Sequence, residues 1–164
     1  MKNLNVLFVA LLFLGTVFCW TACSADIHSD YEETDLMRHG LPLKIMAPPE
    51  LEVKSSKTGG QQNFVLDGGE DYYIEVFKGE FNSGSKQNLL NELRENISSH
   101  RFFNGYTLED EDGFIYEFKI DSLNSNFGFR RVHIQADSEF VFQNGMGRIF
   151  TEEQAQNMYN AVAQ

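Results

Sequence analysis

Cysteine is almost missing from this chain. Among its 164 residues only Cys19 and Cys23 carry a thiol, and both stand near the start. Everything behind them is therefore without a disulfide, a thiol nucleophile or a cysteine ligand for zinc. Basic residues are also scarce: Lys and Arg total 13 against 24 Asp and Glu, a formal net charge of −11. Nucleic acid is a poor partner for such a chain, because backbone phosphates demand a basic surface. Past the first segment no apolar run is long enough to span a bilayer.

Catalytic signatures are missing too. There is no Gly-x-Ser-x-Gly elbow and no Walker loop, and Gly145-Met146-Gly147 lacks the third glycine of a dinucleotide site. His28, His39, His100 and His133 form no pair at metal-ligand spacing, so neither a metal nor a cofactor is expected. Two glycosidase carboxylates could be drawn from the 24 acids, but nothing selects a pair. What the chain does have is ordinary folding material: 42% hydrophobic residues, 23% charged residues and 15 Phe. That is enough for one domain with a hydrophobic core of its own.

The first segment reads as an address. Lys2 precedes a run from Val6 to Trp20 that is apolar apart from Thr16. At about 1.5 Å per residue this run falls short of a hydrocarbon core roughly 30 Å thick. A charged start, a short apolar run and small residues after it describe a secretory signal peptide over residues 1–22. Trp20-Thr21-Ala22-Cys23 resembles the lipobox of bacterial lipoproteins, with Trp20 replacing the usual Leu-like residue. The resemblance implies that Cys23 becomes a lipid-modified N-terminus, holding the protein to a membrane of the cell envelope. A competing cleavage stays open, because Cys23-Ser24-Ala25 before Asp26 has the small-x-small form of an ordinary signal-peptidase site.

Residues 23–40 read as an acidic tether. Asp26, Asp30, Glu32, Glu33 and Asp35 accompany few apolar residues and no clear period, a composition that does not bury enough surface to fold alone. Ser29-Asp30-Tyr31-Glu32-Glu33 also resembles the serine-acidic signals of some surface-exported lipoproteins. From Leu41 the period turns to two, and residues 41–164 read as a single domain. Leu41, Leu43, Ile45 and Ala47 alternate up to Pro48-Pro49, and Leu51 to Lys54 is a short strand before a flexible Ser55 to Gly60. Gly68-Gly69 then joins two strands as a hairpin, Asp110 to Gly113 joins two more, and Phe127 to Gln135 with Glu139 to Gln143 makes a third pair. Met146 to Phe150 reads as a short edge.

Ser85 caps a helix with an apolar stripe of Leu89, Leu90, Leu93 and Ile97. Thr151 and Gln154 form a capping box before a second amphipathic helix carrying Ala155, Met158, Tyr159 and Val162. Hairpin-length connections demand antiparallel pairing. The fold class is therefore α+β, a twisted antiparallel sheet built from hairpins with two amphipathic helices packed on it. This order of elements resembles the PsbP-like architecture in topology alone, which transfers no function.

Candidate sites are few. Asp110-Glu111-Asp112-Gly113 departs from a calcium loop, since Leu108 and Lys119 fall where oxygen ligands are needed, and it reads as an acidic hairpin turn. Phe102-Phe103-Asn104-Gly105-Tyr106 is expected to tuck its rings under the preceding helix. Arg131 and His133 share one strand face and form a possible contact for an anion or an acidic partner, with cross-strand pairing to carboxylates as the structural alternative. Three function classes follow: a non-catalytic envelope lipoprotein that binds a protein partner or assembly, a lipoprotein that binds a small molecule or glycan, and a hydrolase with an unrecognised site.

Overall fold

The computed structural model describes residues 30–163. The signal peptide, the lipobox-like residues through Cys23 and the first part of the tether lie outside the described residues. The chain folds as α+β. Strands β1 (Glu32–Asp35) and β2 (Lys44–Ala47) form a small antiparallel sheet. A seven-stranded sheet holds β3 (Glu52–Thr58), β4 (Gln61–Asp67), β5 (Tyr73–Glu80), β6 (Phe103–Glu109), β7 (Gly113–Lys119), β8 (Ser125–Gln135) and β9 (Ser138–Asn144). Helix α1 (Lys86–Ser98) connects β5 to β6, and α2 (Glu152–Ala161) ends the described chain.

The order across the large sheet is β3-β4-β5-β9-β8-β7-β6, with every neighbouring pair antiparallel. The three expected hairpins are all present. The join between the two halves is not a hairpin: β5 pairs with β9, from Ile74 opposite Asn144 to Glu80 opposite Ser138. Because β9 is covered on both faces, its residues from Phe140 to Asn144 are all buried. One face of the sheet, with Phe64, Leu66, Ile74, Val76, Phe129, Phe140 and Phe142, packs against α2 and the β1–β2 sheet. The other face, with Phe114, Tyr116, Val132 and Val141, packs against Leu89, Leu90 and Ile97 of α1.

Both helix caps form as the sequence indicates. The Ser85 hydroxyl accepts from the Asn88 N–H, and Thr151 and Gln154 exchange the two bonds of a capping box. Three expectations need correction. The tether does not run to Gly40, because Glu32–Asp35 is already a strand and Leu36, at 0% exposure, belongs to the core. The acids Glu32, Glu33 and Asp35 point outward, and a single Leu36 ahead of Leu41 is too little to register as a period. Likewise Ser55 to Thr58 continues β3, since backbone pairing with β4 holds even though Ser55, Ser56 and Lys57 are polar and exposed. Met146 to Phe150 is no strand. Gly147 turns at φ +87°, Ile149 points outward and Phe150 inward.

Candidate functional site

The sheet register places Arg131 and His133 on the same face, as their spacing indicates, with Arg131 opposite Phe142 and His133 opposite Phe140. That face is covered over Arg131, whereas His133 borders an open cleft of about 510 Å³ beside Leu43 and Lys44. Arg131 Nη2 donates to Asp112 Oδ2 at 2.9 Å, its side chain is only 11% exposed, and its guanidinium lies 4.6 Å from the Tyr159 ring centroid. Lys86 Nζ pairs with the other Asp112 oxygen. Tyr159 Oη donates to Asp110 Oδ1 at 2.6 Å, and the N–H groups of Asp112 and Gly113 donate to the same atom. The acidic turn is thus an anchor that fastens the β6–β7 hairpin to β8 and α2. Among the described residues no group of three or more His, Cys, Asp or Glu is placed to hold a metal. His133 is half-buried, and burial, with Lys86 and Arg131 nearby, holds its pKa below the ordinary value against the opposing pull of Asp112.

Asp110 carries a consequence for acid stability. Burial pushes its carboxyl up, but the Tyr159 hydroxyl, the two N–H donors and the Arg131 charge outweigh it, and its pKa is lowered. A carboxylate that binds its proton less tightly when folded stabilises the fold fully above the ordinary value, near pH 4, and loses that contribution as pH falls through the folded value. Tyr159→Phe should therefore cost about 1 kcal/mol at pH 7, the net worth of one hydrogen bond. It should also make the decline in stability below about pH 4 shallower, as urea denaturation at pH 7 and pH 3 would register. An unchanged acid decline would contradict this linkage.

A further open site lies on the other face, where α1 stops short of the end of the sheet. A cleft of about 370 Å³ opens there between the C-terminal end of α1, strands β7 and β8, and the loop after β9. Its floor is Gly128. A Cβ at that position would sit 2.5 Å from Tyr116 Cζ and Oη and 2.8 Å from Asn144 Oδ1, so only glycine lets the Tyr116 ring lie across the strand. The aromatic wall continues through Phe118, whose ring centroid is 4.9 Å from that of Tyr116, to His100, stacked on Phe118 at 4.6 Å. The loop side is set by Gly145, where any Cβ would collide with the Tyr73 ring.

The polar equipment is unequal in how far it is already used. Arg148 stacks on Tyr73 at 3.9 Å, donates to the Gly69 carbonyl at 2.6 Å and pairs with Asp67 at 3.3 Å. Arg130 is different. Its Nη1 donates to Tyr116 Oη at 3.2 Å and to the Phe129 carbonyl at 2.9 Å, and no carboxylate among the described residues lies within ion-pair distance. Asn144, only 8% exposed, accepts the Phe129 N–H on Oδ1 at 3.1 Å, which fixes its amide in the cleft wall. Its Nδ2 makes no hydrogen bond among the described residues.

Arg131 takes the structural alternative that the sequence offered, pairing with the carboxylate of Asp112. Arg130 and Arg131 point to opposite faces of β8, and of the two it is Arg130 that borders an open cleft. Gly128 inside a strand is the signal that points there, because an interior strand glycine marks a close approach of other groups. The Phe103 and Tyr106 rings do pack beneath α1, with Tyr106 Oη donating to the Arg94 carbonyl at 3.0 Å. No protein-family model and no curated protein matches the chain, so no function is transferred from a relative.

Proposed function

We propose that this chain is a non-catalytic lipoprotein of the bacterial cell envelope, anchored through Cys23, that acts as a binding or accessory module with the α1–β8–β9 cleft as its binding site. One observation supports the binding role most. Asn144 is 8% exposed yet keeps an amide donor unused among the described residues, in the wall of a cleft that also holds Arg130, a guanidinium with no carboxylate partner among them. Nearly buried polar groups are normally satisfied within the protein, and a few unspent donors set among aromatic walls are what small-ligand sites use. The anchor is supported by the lipobox-like Trp20 to Cys23. No described helix is long and apolar enough to cross a membrane. Acyl chains contribute about 0.8 kcal/mol per buried methylene, so two or three of them hold a domain at a membrane surface without inserting it.

The two halves of this reading are tested separately. Cys23→Ala should abolish incorporation of a labelled fatty acid and release the protein from membranes on a carbonate wash. Retention of label would contradict the anchor. For the cleft, melting of the purified full chain against a panel of envelope saccharides and small acids should reveal a stabilising compound. Its effect should disappear in Gly128→Ala, where Tyr116 is displaced. Chemical turnover of a panel compound, or stabilisation undiminished in Gly128→Ala, would contradict a non-catalytic module binding at this cleft.

A further inference from the structure

We infer that the cleft takes a carboxylate of about monosaccharide size, its carboxylate on Arg130 and Asn144 and its ring against the wall that Phe118 and His100 form. This rests on the cleft being the binding site and names the chemistry of its ligand. In a chain of net charge −11, the residues lining the cleft include Arg130, Arg148 and His100 and no Asp or Glu. Arg148 is committed to Asp67 and Gly69, which leaves Arg130, 5.6 Å from the Tyr116 ring centroid, as the cleft arginine with no carboxylate partner among the described residues. Its cross-strand row holds two acids, each two strands away: Glu109, beyond Phe114 and paired with Arg94, and Glu75, beyond Gln143, which donates to it from Nε2 at 2.8 Å. Two strand spacings, roughly 10 Å along the sheet, separate the backbones of these acids from that of Arg130.

The donor set selects the anion. A guanidinium with Nε and Nη2 unused among the described residues offers the planar fork that matches a carboxylate, and the Asn144 amide adds a neutral donor in the same cleft. A phosphate dianion usually gathers more: a lysine, a nest of backbone N–H groups or a helix N-terminus. Here α1 presents its other end, through Asn96, Ile97 and His100. The carbonyls of that end are already met, Glu95 and Ile97 by the Ser99 and His100 N–H groups and Asn96 by the Ser99 hydroxyl at 2.8 Å. They therefore leave Arg130 free for a ligand. Phe118 and His100, stacked at 4.6 Å, with the Tyr116 ring tilted 54° from Phe118, give the cleft an aromatic wall for a ligand's ring, and about 370 Å³ lies at the small end of the roughly 300–1,000 Å³ spanned by ligand pockets.

The test is isothermal titration calorimetry on the full chain in detergent, with glucuronate, glucose and inorganic phosphate as probes. Glucuronate should bind at least tenfold more tightly than either of the others. Arg130→Gln should weaken it at least tenfold, and Arg130→Lys should recover only part of that loss because the fork is gone. Asn144→Asp keeps the acceptor for the Phe129 N–H but places a like charge in the wall, so glucuronate binding should fall while glucose is unchanged. This second variant decides the matter should the Arg130 variants fail to fold. Equal binding of glucose and glucuronate, both lost in Gly128→Ala, would overturn the carboxylate assignment while the cleft itself remained the binding site. Tighter binding of phosphate would overturn it as well. Absence of glucuronate binding, or binding that survives Asn144→Asp and Gly128→Ala, would overturn the inference outright.

Discussion

Gly113→Ala should destabilise the domain by about 3 kcal/mol, the upper range for overpacking a rigid site. A Cβ at this position would stand 2.1 Å from the Arg130 carbonyl oxygen, 2.9 Å from Arg131 Cα and 2.9 Å from Tyr159 Cε2. Two of those atoms are backbone in the middle of the adjacent strand β8, so no side chain can rotate away to relieve the contact. The ring on the third side is held by its bond to Asp110. Gly60→Ala is the control, since no atom lies within 4 Å of a Cβ there and its φ is not in the left-handed region. It should change stability by no more than about 0.5 kcal/mol. Urea denaturation of both variants gives the comparison, and a Gly113→Ala loss below about 1 kcal/mol would show that β8 moves aside easily.

Leu36→Ala should cost about 3 kcal/mol, within the range for emptying a fully buried leucine site. Leu36 is at 0% exposure, its N–H donates to the Leu43 carbonyl at 3.0 Å, and its carbonyl accepts from His39 and Leu41. It joins Leu41, Leu43 and Ile45 in the core beneath α2 and the large sheet. Were this stretch a solvated spacer, the same substitution would leave the denaturation midpoint where it was. The variant thus reads directly where tether ends and fold begins. A loss in the expected range places that boundary ahead of Leu36, and a negligible one places it behind.

These two positions show how far the sequence carried and where it stopped. The β6–β7 turn at Asp110 to Gly113 is legible because turn residues between alternating strands are a local signal. The reason for the glycine is not, since it concerns room beside β8 and α2 rather than a positive φ. Hairpins, the Ser85 cap and the Thr151–Gln154 box were legible for the same reason: each is settled within a few residues. Leu36 was illegible because β1 is short and its neighbours are acids, which composition alone assigns to solvent. The pairing of β5 with β9 joins residues as far apart as Ile74 and Asn144, and no periodicity announces it.

The cleft depends on that pairing. Its walls come from the end of α1, from β7, from β8 and from the loop after β9, and they meet only once β9 is seated between β5 and β8. What the sequence did show was that Arg130 and Arg131 alternate across one strand. Which of them faces an open side followed from the placement of α2 over Arg131, a tertiary fact. Arg131 is held by Asp112 and Tyr159 beneath a covered face, whereas Arg130 borders open space.

The measurement that bears most directly on the binding role is backbone amide chemical-shift mapping of the isotopically labelled full chain, before and after adding the small-molecule extract of a bacterial cell envelope. Perturbations concentrated at Gly128, Phe129, Arg130, Asn144 and Gly145 are expected, with the amides of β1 and β2 unmoved. Shifts confined to those two strands or to the outer strands β3 and β6, with Gly128 and Asn144 silent, would contradict the assignment of the cleft as the binding site.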